Sequence, residues 1–193
     1  MPPHLLPSLL LSLFAVGYTP GPANIYSLSC SLAHGRKAAM KAWTGLLCGF
    51  LTAATIAACL AHFAGMAMGS SIAYIKYAGA AYILYLAWKT YRSSIAENSD
   101  IRCGFWNGFI VQMTNAKMIL FDLTVFSTFV LPYSDRFADL LLMIPFLMIA
   151  GPGGNIVWLL AGSFLKPHLE KHQRAVDTVM ALALAACTIR ILM

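Results

Sequence analysis

Apolar residues fill this chain in long runs separated by short polar joints, a pattern that predicts membrane spans rather than surface helices. Six such runs are read at about residues 5–33, 39–63, 72–88, 105–131, from about 140 onward, and 176–192. The first is longer than one straight span of about 20 residues requires, and Thr19-Pro20-Gly21-Pro22-Ala23-Asn24 interrupts it near its middle. Two prolines and a glycine strip the backbone of helical hydrogen bonds there. In lipid such a defect persists only where it is buried in protein or lines a polar cavity. Beyond the break Asn24, Ser27 and Ser31 share one helical face, which should point into the bundle. Interhelical hydrogen bonding alone is the plainer account of these small polar residues.

The later runs repeat the theme. Gly45 and Gly49 stand in a G-x-x-x-G spacing that favours close helix packing. Span three carries aromatic residues near its ends, an interfacial belt. The polar stretch 92–102 divides the chain into halves of about 1–95 and 101–193. Three spans per half require the second half to enter the membrane from the opposite side, the condition for an inverted repeat. Span four holds Asn115, Lys117 and Asp122 near mid-depth, where charged groups are costly and mark a functional site by default. Asn115 and Asp122 lie on nearly one face, whereas Lys117 shares another with Thr124 and Thr128. Protein should therefore surround this span, and a direct Lys117–Asp122 pair within one regular helix is not expected. A buried structural ion network is the competing account of both charges. Span five is expected to break at Gly151-Pro152-Gly153-Gly154, ahead of Asn155, with a packing kink as the alternative.

Composition agrees: 60% of the 193 residues are hydrophobic, 10% are charged, and the mean hydropathy is +0.73, so a second, soluble domain has no room. The expectation is a single transmembrane domain over 1–193, all-α, with six transmembrane helices as two inverted three-helix repeats and broken helices in spans one, four and five. The net charge of +6 reads as topology rather than nucleic-acid binding. Arg36, Lys37 and Lys41, then Lys89, Arg92 and Arg102, then Lys166, Lys171 and Arg174 occupy alternate connections. The others hold only Lys76 and Arg136, with Arg190 in the tail. The positive-inside pattern puts both termini outside the cytoplasm. The first run lacks a basic leader and is read as a retained span. The five cysteines, Cys30, Cys48, Cys59, Cys103 and Cys187, form no C-x-x-C pair and are expected to be packing residues. His168 and His172 lack the HExxH order, and neither a metal nor a cofactor is expected.

Several stretches together carry a family resemblance: T-P-G-P-A-N at 19–24, H-G-R-K-A-A at 34–39, G-A-A-Y-I-L-Y-L-A-W-K at 79–89 and N-A-K-M-I-L-F at 115–121. In these the chain resembles the LysE/RhtB family of bacterial amino-acid exporters. S-T-F-V-L-P at 127–132 and G-N-I-V-W-L-L-A-G at 154–162 look most like its cysteine and O-acetylserine branch. The family usually has proline where Ala116 stands, so the second break is expected to be milder. Asp122 lies outside the family pattern.

The resemblance implies export of cysteine, O-acetylserine or homoserine- and threonine-like neutral amino acids across the bacterial inner membrane, driven by proton antiport. A zwitterion needs a cationic or dipolar site for its carboxylate and acceptors for its amine. The residues expected to bind it are Pro20, Gly21, Pro22, Asn24, Ser27, Asn115, Lys117 and Asn155. The helix restarting after Pro22 and Lys117 would take the carboxylate; Asn24, Asn115 and the carbonyls freed at the break would take the amine. Asp122, the one mid-depth carboxylate, is the candidate proton carrier. The expected partners are an amino acid, protons and membrane lipid, with no nucleic acid. An intramembrane enzyme is disfavoured because all five histidines fall near span ends. A channel or a carrier of another solute, and a non-transport scaffold, are the remaining alternatives.

Overall fold

The computed structural model describes residues 3–19, 21–68, 88, 102–161 and 178. Pro20, spans three and six at 72–88 and 176–192 apart from Trp88 and Thr178, most of the stretch 92–102, His168, His172 and Cys187 lie outside the described residues.

Every regular element among the described residues is helical. After a short 3-10 turn at Pro3–Leu5, helix α1 spans Leu6–Gly17 and helix α2 spans Pro22–Met68. Helix α3 is Phe105–Met113, helix α4 is Ala116–Val125 with a π-helical continuation at Phe126–Val130, and helix α5 is Phe137–Ala161. At about 1.5 Å per residue, the 12 residues of α1 reach only about 18 Å, short of a hydrocarbon core of about 30 Å. Helix α1 therefore crosses only in company with the first arm of α2. That arm covers 22–34 and ends at Gly35, whose φ of 74° lies in the region that glycine alone enters freely. The second arm, 36–68, is the next span.

Two helices, Pro22–Ala64 and Phe137–Ala161, are long and apolar enough to cross a membrane. Helices α3 and α4 form a third candidate, bent by 54°. Ala116 thus permits a full break without proline. The helical ladder fails at Thr114 and Asn115, where the Ala116 amide turns back to the Thr114 carbonyl at 2.9 Å, and α4 starts afresh. Span five corrects its expectation: α5 runs unbroken through Gly151-Pro152-Gly153-Gly154. The glycines there serve approach. A Cβ on Gly154 would strike the Gly17 carbonyl, and one on Gly151 would meet the Phe50 ring at 2.6 Å. The Pro152 carbonyl accepts the Trp43 indole N–H at 2.9 Å.

The G-x-x-x-G pair works as its spacing implies. A Cβ on Gly45 would collide with the Phe105 carbonyl, and one on Gly49 would approach the Phe109 carbonyl to 2.7 Å, so α3 lies backbone to backbone on α2. Cysteine packing needs a second correction, because Cys30 and Cys103 are joined in a disulfide. Seventy-three residues separate them, so no local spacing marks the pair. The Tyr26 hydroxyl donates to the Arg102 carbonyl at 3.1 Å beside it, fixing the start of α3 on the first arm of α2. Cys48 and Cys59 are free.

Two apolar clusters make up the core. One gathers Leu9, Leu13 and Val16 of α1, Phe50 to Ala61 of α2, Met118 to Val130 of α4 and its continuation, and Leu140 to Ala150 of α5. The other holds Ala23, Tyr26 and Cys30, then Ala39, Ala42 and Leu46, with Cys103, Val111 and Leu159. Each span passes from one cluster to the other over a few residues: 17–22 in the first, 47–49 in the second, 112–117 in the third and 151–158 in α5. Nearly all the buried amide side chains and the buried lysine fall in or beside those windows.

Candidate functional site

The polar layer is built outward from the break at 18–21. Ending α1 there frees carbonyls that lipid could not satisfy, and side chains take each of them. Thr19 Oγ1 donates to the Val16 carbonyl at 2.8 Å. Asn24 Nδ2 donates to the Gly17 and Thr19 carbonyls, both at 2.8 Å, and Trp158 Nε1 to the Tyr18 carbonyl at 3.0 Å. Among the described residues, the Val16, Gly17, Tyr18 and Thr19 carbonyls are thus occupied by protein side chains. Asn24 acts first as the clasp of the break, with both amide hydrogens committed.

The second break faces the first. Lys117, in the first turn of α4, is 5% exposed and extends its ammonium to Thr19, 2.6 Å from Oγ1 and 3.1 Å from the carbonyl. Gly21 makes that path possible: a Cβ there would sit 3.1 Å from Cδ and 3.2 Å from Nζ of Lys117. Asn155 of α5 donates from Nδ2 to Asn24 Oδ1 at 2.7 Å. Among the described residues, its own Oδ1 has no hydrogen-bond partner, and neither does Oδ1 of Asn115. Asn115 Nδ2 makes a long contact of 3.5 Å with Gln112 Oε1. Two unpaired amide oxygens and one buried ammonium thus stand around the same space.

That space is about 10 Å³ in this conformation, on the scale of one water, and is walled by Gly17, Gly21, Ala23, Asn24, Asn115, Lys117, Met118, Ala150, Gly151 and Asn155. Five of the residues expected at the site are brought together here: Gly21, Asn24, Asn115, Lys117 and Asn155. Pro22 is the first residue of α2 and is exposed, so it starts the helix without lining the cavity. Ser27 is 1% exposed, with its hydroxyl unpaired, and lies off the wall. Asp122 also lies off the wall; it is fully buried, and neither carboxylate oxygen has a hydrogen-bond partner among the described residues. Lys117 turns to Thr19 rather than to Asp122. Lys117, Asp122 and Thr124 are all buried, as two polar faces on one span require.

Sequence reasoning missed Thr19 and Gln112. Thr19 stood inside the quoted break motif, but its hydroxyl gained a role only when Lys117 arrived from 98 residues away. Gln112 is 1% exposed with an unpaired Nε2, three residues before Asn115 on the same face. Two helix N-termini, at Pro22 and Ala116, also abut this layer. Their first amides lack carbonyl partners within their own helices and carry a partial positive charge. The arrangement offers complementary groups to a small zwitterion, Lys117 and the helix starts to its anionic end and amide oxygens to its cationic end, and the space must open to admit one.

A family model described as LysE type translocator matches residues 14–193. Among curated proteins, the cysteine/O-acetylserine efflux protein of Salmonella typhimurium is 35% identical over 193 residues, covering 99% of each chain. That of Salmonella paratyphi A is 34% identical over 194 residues, with the same coverage. A protein of the same description from Escherichia coli is 32% identical over 193 residues, again 99% of each. No solved structure matches the chain.

Proposed function

The chain belongs to the LysE type translocator family of amino-acid exporters, and from that premise we propose that it carries cysteine, O-acetylserine or a similarly small neutral amino acid out of the cell by proton antiport. The names of the relatives, cysteine/O-acetylserine efflux proteins, motivate the choice, and the walls of the cavity support it. Apart from its four polar residues the cavity is walled by Gly17, Gly21, Ala23, Ala150, Gly151 and Met118, small residues for the most part, which suit a ligand with a short side chain once the site opens.

The observation that carries the reading is the meeting of two helix breaks around unpaired, complementary groups. Lys117 and the starts of α2 and α4 receive the carboxylate. The orphaned Oδ1 atoms of Asn115 and Asn155 receive the ammonium. Burying either amide oxygen unpaired is costly, so a ligand that pairs both recovers that cost. Asn24 and Gly21 shape the site, the first by clasping the break and the second by leaving space for Lys117. Asp122, buried on the same helix as Lys117 and unpaired among the described residues, is the proton carrier.

The protein so read is one transmembrane domain of six spans, arranged as inverted repeats in the bacterial inner membrane, with the basic connections inside and both termini outside the cytoplasm. It is a carrier and not an enzyme. The test is an efflux competition: cells with and without the gene are loaded with labelled O-acetylserine and challenged with cysteine, threonine, homoserine and lysine. Saturable, gene-dependent efflux blocked by small neutral amino acids is expected; efflux indifferent to all of them would refute the assignment.

A further inference from the structure

Among the described residues, Lys117 is held by one. Both of its hydrogen-bond acceptors, Oγ1 at 2.6 Å and the backbone oxygen at 3.1 Å, belong to Thr19. The Thr19 hydroxyl has committed its proton to the Val16 carbonyl at 2.8 Å, so only its lone pairs face the ammonium. Thr19 is 2% exposed and Lys117 5% exposed, and the lysine stem is laid against Gly21, which sets its direction. Asp122, the buried carboxylate of the same helix, makes no hydrogen bond that would compensate the charge. A buried ammonium in this conformation therefore rests on neutral acceptors.

From this geometry we propose that Thr19 is a positioning residue that acts through Lys117. It is the resting partner of the ammonium, displaced when the substrate carboxylate enters the adjoining cavity and reclaiming the ammonium when substrate leaves. The proposal rests on the reading that Lys117 binds that carboxylate. Its physical basis is competition. A carboxylate is a stronger acceptor for an ammonium than a hydroxyl or a peptide carbonyl, so it wins the exchange. The neutral partner nevertheless lowers the net gain, because the bond to Thr19 must break first. A carrier benefits from that subtraction, since a substrate bound at full strength would not be released. The exchange also unties the first break from the second, because the Lys117–Thr19 bonds join the end of α1 to the start of α4 across 98 residues. Occupancy and the relation of the two breaks are thereby linked.

The experiment uses the full chain in lipid nanodiscs and proteoliposomes, with O-acetyl-L-serine as the probe. Thr19→Val keeps the shape and removes the hydroxyl, the shorter of the two contacts to Lys117 and the donor to the Val16 carbonyl, while the backbone oxygen remains. It is expected to lower the probe's Kd by about three- to tenfold, the scale of one hydrogen bond, and to lower KM and kcat together in counterflow. Thr19→Ser, which keeps the hydroxyl, is expected to return both to within about twofold of the unmodified protein, a margin well below the effect of one hydrogen bond. Thr19→Cys, a poor acceptor of similar size, gives the same tightening and serves where the valine variant does not fold. A residue needed only for structure would weaken binding or yield, and would not tighten it. Lys117→Met, run beside them, separates the two claims. If it binds the probe as the unmodified protein does, the carboxylate reading fails. If it loses the probe while neither Thr19→Val nor Thr19→Cys tightens binding, the role of Thr19 alone is overturned.

Discussion

Asn155 donates a hydrogen bond of 2.7 Å to Asn24 across 131 residues of chain, tying the middle of α5 to the restart of the first span. Asn24 in turn holds the Gly17 and Thr19 carbonyls. The order of dependence is therefore fixed: Asn24 carries three bonds and Asn155 only one of them. Asn24→Ala leaves the Gly17 carbonyl without its donor and Asn155 Nδ2 without its acceptor, while the Thr19 carbonyl keeps Lys117, and is expected to destabilise the protein by about 1–3 kcal/mol for each group left unpaired. Asn155→Ala should cost less, and the two effects should not add, because they share a bond. Thermal unfolding of both single variants and the double variant in one detergent checks this. Full additivity would show that the pair is not coupled.

Backbone contact between α2 and α3 makes a sharper structural prediction. A side chain at Gly108 would run into the Ala42 carbonyl, and one at Gly45 into the Phe105 carbonyl; neither obstacle can rotate away. Gly45→Val and Gly108→Val should abolish the monodisperse folded peak in size-exclusion chromatography. Gly104→Ala, where the nearest atom lies 4.0 Å away, should leave it intact.

The disulfide can be read by mass. In protein purified without reductant, a maleimide reagent should leave Cys30 and Cys103 unmodified while labelling exposed Cys48, and both should label after denaturation with reductant. Adducts on Cys30 or Cys103 before reduction would contradict the pairing.

Asp122 is fully buried, has no hydrogen-bond partner among the described residues, and follows Phe121 of the larger apolar cluster, a place that suits a group working by gaining and losing a proton. In proteoliposomes, Asp122→Asn should still exchange labelled for unlabelled amino acid. It should no longer accumulate it in response to an imposed pH gradient. Accumulation equal to that of the unmodified protein would remove Asp122 from the coupling.

How far the residues announced this architecture depends on whether their partners are near in sequence. The break at Thr19 to Asn24 was legible because proline and glycine act on their own backbone, and Gly45 and Gly49 were legible because their spacing alone places them on one face. Ala116 misled: without proline the second break looked weaker, yet it bends by 54°, since the Asn115 turn closes on local backbone bonds, one of them donated by the Ala116 amide, that need no proline. The Gly151 to Gly154 stretch misled in the opposite direction. Its glycines admit Gly17 and Phe50, a need set by neighbours from distant parts of the chain. Asn24, Asn115, Lys117 and Asn155 were found as buried polar residues in apolar runs. That Asn24 clasps carbonyls while Asn115 and Asn155 keep free oxygens depends on tertiary partners, as do the tie to Thr19 and the Cys30–Cys103 bond.

The central claim is that Lys117 meets the carboxylate of the substrate, and a cycle between residue and ligand tests it most directly. Binding of O-acetyl-L-serine and of its analogue lacking the carboxylate is measured by calorimetry on the unmodified protein and on Lys117→Met. If the contact is real, removing the carboxylate weakens binding to the unmodified protein by about tenfold or more, as losing a charge-assisted hydrogen bond should, and hardly alters binding to Lys117→Met. Equal losses in the two proteins would mean that the carboxylate is held elsewhere, and the site as described would be wrong.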